Sequence, residues 1–206
     1  MYFSRLRLDP RAAVRRSVYD AHQALWRLFS DSPSRTRDFL YREIDPWTFV
    51  AVSARPPGDA EGLWGMETKP YAPSLAVGDR LFVSLRANAV IKRGKTRHDV
   101  VQQARMACLS RGEEPPPRAE LAQSAGRIWL VARQEAMGLM FEAESIAADG
   151  YTPQRFRSHG QKVCISTLDL SGVATVADPA KALAAMTRGV GPAKGFGCGL
   201  LLARRA

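Results

Sequence analysis

Tyr19 and His22 stand three positions apart in the stretch 17–29, so on a helix their side chains share a face. An imidazole with an ordinary pKa of about 6.5 can take or give a proton at neutral pH. A phenol beside it can orient it or bind a phosphate. The spacing also suits a half-buried histidine that is hydrogen-bonded and inert, and the residues alone leave both readings open. His98 and His159 fall in basic, polar stretches and read as surface side chains, although His159 has Arg155, Arg157 and Lys162 as neighbours and could touch phosphate.

The second stretch with chemical potential is Gly189–Leu202, in which five of the sixteen glycines fall within eleven positions. Glycine lets a phosphate or another backbone approach closely, and Lys194 places a cation in the middle. The stretch is neither a P-loop nor the dinucleotide fingerprint. The first needs a strand before it and a helix after it; the second needs glycine where Lys194 stands. The glycines therefore read first as a tight helix-to-strand connection, and Lys194 as the residue able to reach a substrate.

Other catalytic constellations are missing. The sequence has no H-E-x-x-H, no Cys/His set at ligand spacing and no D-x-D, and Glu113, Glu114, Glu142 and Glu144 do not converge. No metal and no other cofactor is expected. A serine nucleophile lacks its G-x-S-x-G. The 206 residues carry 30 Lys and Arg against 20 Asp and Glu, a net charge of +10, and an excess of this size points to a polyanion, most often nucleic acid. Acids are scarce in 1–16, 151–162 and 189–206, segments that would form one positive surface if the fold gathers them. A basic surface with one well-placed histidine is compatible with metal-independent RNA scission. The RNA supplies its own 2′-hydroxyl, histidine moves the proton, and cations stabilise charge on the phosphorane. DNA would be bound and not cut. No apolar run is long enough to span a membrane, no secretory signal is evident, and three scattered cysteines suit reduced thiols in the cytoplasm.

The elements that must position these groups follow from periodicity. Alternation predicts strands over 2–8, 38–43, 47–53, 62–69 and 80–89. A helix is expected over 17–29, capped by Ser17, with Val18, Ala21, Leu25, Leu28 and Phe29 as its apolar stripe. The stretch 92–98 (Lys92, Arg93, Lys95, Arg97, His98) reads as a basic, ill-ordered loop, either solvated or in contact with a polyanion. A helix over 118–137, strands over 139–146 and 162–176, a helix over 178–188 opened by Asp178-Pro179, and a last strand over 199–203 complete the chain. The second half has the order strand-helix-strand-strand-helix-strand, and the first half is a degraded copy. The expected fold class is α+β: two tandem ferredoxin-like (RRM-like) βαββαβ domains, 1–78 and 79–206, the first with a degenerate second helix.

The segments Met1–Leu6, Tyr19–Phe29, Thr68–Tyr71, Leu85–Asn88 and Gly189–Leu201 are similar, in collinear order, to the CasE endoribonucleases of type I-E CRISPR systems. The resemblance implies cleavage of CRISPR precursor RNA at the 3′ base of the repeat stem-loop without a metal, leaving a 5′-hydroxyl and a 2′,3′-cyclic phosphate. It also implies retention of the product hairpin and assembly with other Cascade subunits, especially the backbone subunit. The family's catalytic pair falls on His22 and Tyr19, and its basic RNA-gripping hairpin on 151–162, so that Arg155, Arg157 and Lys162 would contact the stem. Where some relatives carry arginine after the histidine, this chain has Gln23. A further cation at the site must then come from elsewhere, with Arg5, Arg27 and Lys194 as candidates. The competing readings are a non-catalytic subunit that binds an RNA hairpin, with His22 structural, and a basic protein-interaction module.

Overall fold

Alternation of apolar and polar side chains makes β1 (Tyr2–Leu8) a strand with Ser4, Leu6 and Leu8 buried on one face and Arg5 and Arg7 exposed on the other. A computed structural model describes residues 1–12, 18–30, 36–59, 61–94, 96–158 and 161–206; at 12, 18–21, 157–158 and 161–162 it describes the backbone alone. The expected cap Ser17 lies outside these residues. Helix α1 (Val18–Phe29) follows β1, then β2 (Phe39–Asp45), β3 (Thr48–Ser53) and β4 (Trp64–Pro70). The sheet order is β2-β3-β1-β4, with antiparallel pairs throughout. Leu25, Leu28 and Phe29 of α1 pack on Leu6, Phe39, Tyr41, Phe49 and Ala51. This is the ferredoxin-like arrangement, and among the described residues no helix joins β3 to β4.

The remainder builds the same arrangement again with additions. After β5 (Arg80–Asn88) come β6 (Val90–Arg93), β7 (Thr96–Asp99), α2 (Val100–Ser110), α3 (Arg118–Val131), β8 (Leu139–Phe141), β9 (Ala147–Ser158), β10 (Gln161–Val176), α4 (Pro179–Arg188) and β11 (Leu201–Arg205). The sheet order is β11-β5-β10-β8, with β9 also paired to β10, so β8 and β9 share the place of one ferredoxin strand. The helix-facing core holds Leu81, Val83 and Leu85 of β5, Leu168 and Leu170 of β10, Trp129 and Leu130 of α3, and Met186 of α4. Helix α4 starts where expected: Asp178 accepts from the Lys181 amide at 3.1 Å, and proline opens the first turn.

Three expectations are corrected. The basic stretch at 92–98 contains paired strands: β6 and β7 form an antiparallel hairpin in which Lys92 faces Arg97, while Lys95 lies outside the described residues. It is followed by an unforeseen helix, α2, which Asp99 caps by accepting from the amides of Val101 and Gln102. Helix α3 ends at Val131 and gives way to turns before Met137. The strand expected over 139–146 stops at Phe141, where a 3-10 turn (Ala143–Ser145) intervenes. All three cysteines are free, and among the described residues no helix is long and apolar enough to cross a membrane.

The helix-free faces of the two sheets meet. Leu40, Val52 and Leu200 form a small core there, flanked by Phe3, Val50 and Leu202. Beside it, Asp169 of β10 accepts from Arg86 of β5 (2.8 and 2.9 Å) and from Arg42 of β2 (3.2 Å). Arg42 also donates to the Ser84 hydroxyl at 2.6 Å, and Arg86 to the Glu43 carbonyl at 3.3 Å. One carboxylate is thus shared by two guanidiniums drawn from opposite sheets. Its side chain keeps 26% exposure, so Asp169→Asn should cost about 2 kcal/mol, in the range for hydrogen bonds to charged groups. The expected readout is a lower urea midpoint with an unchanged m-value.

Candidate active site

His22 precedes the buried Leu25 by three residues and Phe29 by seven, so it borders the apolar stripe of α1 and is half-buried. The glycine-rich loop after α4 returns to this point. Its 3-10 turn (Lys194–Phe196) places the Phe196 ring 5.7 Å from the imidazole and 4.9 Å from Phe156 of β9. Gly195 sits against the ring. A Cβ there would lie 3.0 Å from Arg37 Nη1, so that guanidinium would have to give by a few tenths of an ångström, and 3.7 Å from His22 Cε1, an ordinary contact. The Tyr41 hydroxyl donates to the Gly195 carbonyl at 3.0 Å and fixes the turn from below. The loop closes on itself through the Val190 amide and Gly199 carbonyl (2.8 Å) and is tied to β5 through the Gly199 amide and Arg86 carbonyl (2.7 Å). Gly199 has φ +90°, and its Cβ would meet the Val190 carbonyl at 2.8 Å, which excludes side chains there on two grounds.

The electrostatics follow from this packing. Burial and then the neighbouring Arg37 cation lower the His22 pKa below its ordinary 6.5, while a hydrogen bond to the Gly195 backbone opposes them. The ring is therefore held neutral near pH 7, with Nδ1 buried. Arg37 is itself partly desolvated, which lowers its pKa, while Tyr41 acts in the opposite direction. Tyr41 is buried, and its phenol is pushed far above the ordinary range, so it serves here as a neutral donor. Burial also pushes the Cys198 thiol, at 0% exposure, up to about 12.

The residues named from the sequence separate into groups. Tyr19 lies on α1 one turn before His22; its side chain is outside what the structure describes. Lys194 is near the site: burial and Arg37 lower its pKa, and its Nζ donates to the Arg188 carbonyl at 2.7 Å, closing the end of α4. Arg27, five positions beyond His22, turns away to pair with Glu61 at 3.2 Å. Arg5 lies on the sheet face opposite α1, in register with Val50 and Glu67. Neither is brought to the imidazole. Arg155 is exposed on the long β9–β10 hairpin in register with Cys164, and Arg157 is in register with Lys162, both at backbone level. His159 lies outside the described residues. Among those residues, no three His, Cys, Asp or Glu side chains are grouped to hold a metal.

Arg37, Tyr41 and Phe196 belong to the site and were not picked out from the sequence. Tyr41 had a signal, since it alternates with Phe39 on the inward face of β2. Arg37 had none, because its partner Gly195 lies 158 positions away.

Two ferredoxin-like sheets face to face, with a half-buried histidine clasped by a glycine loop and a basic hairpin beside it, define the class of protein. A family model described as CRISPR associated protein matches residues 1–205. The Cascade subunit CasE of Escherichia coli K12 is 33% identical over 207 residues, covering 98% of each chain. The CRISPR-associated endoribonuclease Cse3 of Thermus thermophilus is 27% identical, again over 98% of each. Among solved structures, Cse3 bound to a 19-nucleotide RNA superposes with a TM-score of 0.76 at 25% identity, over 99% of this chain and all of that one. Cas6e of E. coli K-12 superposes with a TM-score of 0.70 at 26% identity, over the full length of both. The chain belongs to the CasE/Cse3 family of CRISPR-associated proteins.

The coupling of Arg37 to His22 can be measured without substrate. By NMR titration the imidazole should titrate below 6.5, and Arg37→Gln should raise that value, because removing the cation stabilises the protonated ring. An unchanged pKa would show that the two do not interact.

Proposed function

We propose that this CRISPR-associated endoribonuclease cleaves precursor RNA at the 3′ base of the repeat stem-loop by attack of the RNA's own 2′-hydroxyl. The observation that carries the mechanism is the neutral, half-buried imidazole of His22 beside an arginine cation and a closely packed turn. A neutral ring can accept a proton, so His22 takes it from the 2′-hydroxyl. Tyr19, one turn earlier, orients the ring or binds the scissile phosphate. Arg37 is the cation that Gln23 does not supply, and it stabilises the charge of the phosphorane; Lys194 adds to the same positive field. The 2′-oxygen bonds to phosphorus as the 5′-oxygen leaves and takes up a proton, giving a 2′,3′-cyclic phosphate and a 5′-hydroxyl. No step needs a metal.

Residues 1–78 form the unit that carries the catalytic helix, and 79–206 the unit that grips RNA. Arg155, Arg157 and Lys162 on the β9–β10 hairpin contact the stem, since A-form RNA is read through shape and backbone. Phe156, packed on Phe196 at 4.9 Å, joins that hairpin to the catalytic turn, so stem position and scissile position are coupled. The product hairpin stays bound, and the chain serves as a Cascade subunit beside the backbone subunit, as the E. coli relative does by name.

His22→Ala should slow single-turnover cleavage of the repeat RNA by about 10²–10⁴-fold, with hairpin affinity kept. Wild-type cleavage by the mutant sinks the mechanism, and a wild-type chain that binds the hairpin without cutting it favours the non-catalytic subunit. Cleavage should persist in excess EDTA and vanish with a 2′-deoxy nucleotide at the scissile position. The rate should rise with pH along an acid limb below 6.5 and then level off, since the base must be unprotonated. In Arg37→Gln that limb should move to higher pH, and the plateau should fall by about 10²-fold.

A further inference from the structure

The β6–β7 hairpin has no part in the chemistry above, yet it is built into the same end of the molecule. Beyond β5, the chain leaves the sheet where Asn88 pairs with Thr167, the row from which the β9–β10 hairpin also projects. Two positions before Asn88, the Arg86 carbonyl receives the glycine loop. The root of β6 is held by Trp129, whose indole N–H donates to the Val90 carbonyl at 3.0 Å. Gly191 of the glycine loop lies on the same indole, its Cβ position 3.4 Å from Trp129 Cζ2. On the other strand, Asp99 accepts from the Tyr151 hydroxyl of β9 at 2.9 Å. The two basic hairpins and the catalytic turn therefore share one foundation.

The tip is a concentration of positive charge without internal compensation. Lys92, Arg93 and Arg97 are exposed, and none has a carboxylate partner among the described residues. Lys92 and Arg97 are directly cross-strand, a like-charge pairing that destabilises a hairpin. The nearby Asp99 is committed to the α2 cap and to Tyr151. A rigid, rooted hairpin that opposes two cations is arranged for an external anion with closely spaced charges.

We infer that the β6–β7 hairpin binds the phosphate backbone of single-stranded RNA flanking the stem-loop, at a site separate from the β9–β10 stem contact. This rests on the reading of the chain as an enzyme that acts on a stem-loop RNA. The flank runs out from the base of the stem, where the scissile phosphate meets Gly195 and His22. Phosphate contacts of this kind fix register without reading sequence.

The test uses the full chain and non-cleavable RNAs with a deoxy scissile nucleotide: the stem-loop alone, and the stem-loop with a 5′ or a 3′ single-stranded tail. Anisotropy titrations at several salt concentrations should show tighter binding and a steeper salt dependence for one tailed RNA, and the tail responsible identifies the flank. Combined Lys92→Ala, Arg93→Ala and Arg97→Ala should remove the tail's advantage and flatten the salt slope for that RNA by about 2, given ~0.7 per single-strand phosphate contact. Exchange of Lys92→Arg with Arg97→Lys should keep both. The triple variant should melt at or above the wild-type temperature, because a like-charge pair is relieved. A tail advantage retained by the triple variant, a wild type that gains nothing from either tail, or loss of the advantage together with a lower melting temperature overturns the inference. A wild type that does not bind the stem-loop at all overturns the enzymatic reading first, so the two failures are distinguishable.

Discussion

The hydroxyl of Tyr41 reaches the Gly195 carbonyl at 3.0 Å, and through this contact β2 of the first sheet holds a loop that belongs to the second. The turn packs closely here, with the Cβ position of Gly195 3.0 Å from Arg37 Nη1 and 3.7 Å from His22 Cε1. If the turn were lifted by the width of a methyl group, the imidazole would lose its backbone partner, Phe196 would leave its ring, and water would reach Arg37. Desolvation, the largest influence on His22, would weaken with it. The environment of the imidazole therefore depends on close packing of the turn as well as on the neighbouring cation.

That constraint explains why the architecture has two sheets facing one another. A helix on one ferredoxin-like unit can offer a histidine, but its exposed face stays wet and the ring keeps an ordinary pKa. A second unit, docked through Leu40, Val52 and Leu200 and ion-paired through Asp169, brings a glycine loop across to cover it. The docking surface is mixed, with a small apolar core and one shared carboxylate for two guanidiniums, and this fixes relative orientation as well as proximity. Orientation is what a site assembled from residues 22, 37, 41 and 195 requires.

Much of this was legible along the chain. The two-residue period of β1, β2, β3 and β5 gives those strands within a residue or two, and Asp178-Pro179 marks α4. His22 stood out because a histidine bordered an apolar stripe, and the glycine loop because of its density. The elements that escaped had weak local signals. Helix α2 buries only Val100 and Val101, so it shows no stripe, and the hairpin before it was hidden by its charge. The end of α3 was missed because the residues after Val131 (Ala132, Arg133, Gln134, Glu135, Ala136 and Met137) are all good helix formers, while the backbone there turns. The loop and the histidine were read as separate features, since periodicity carries no information on which distant segments touch. Arg37 could be recognised only once Gly195 was beside it.

The three thiols differ sharply in setting. Cys198 is fully enclosed in the glycine-rich loop with its pKa raised to about 12, so it stays protonated and hidden from alkylating reagents. Cys164 is exposed on β10, directly across from Arg155. Cys108 on α2 is partly exposed, so chemistry that discriminates by access would reach α2 as well as the basic hairpin and spare the loop that clasps His22. With Cys108 replaced, Cys164 becomes a single accessible attachment point for a fluorophore on the basic hairpin, apart from the loop around His22.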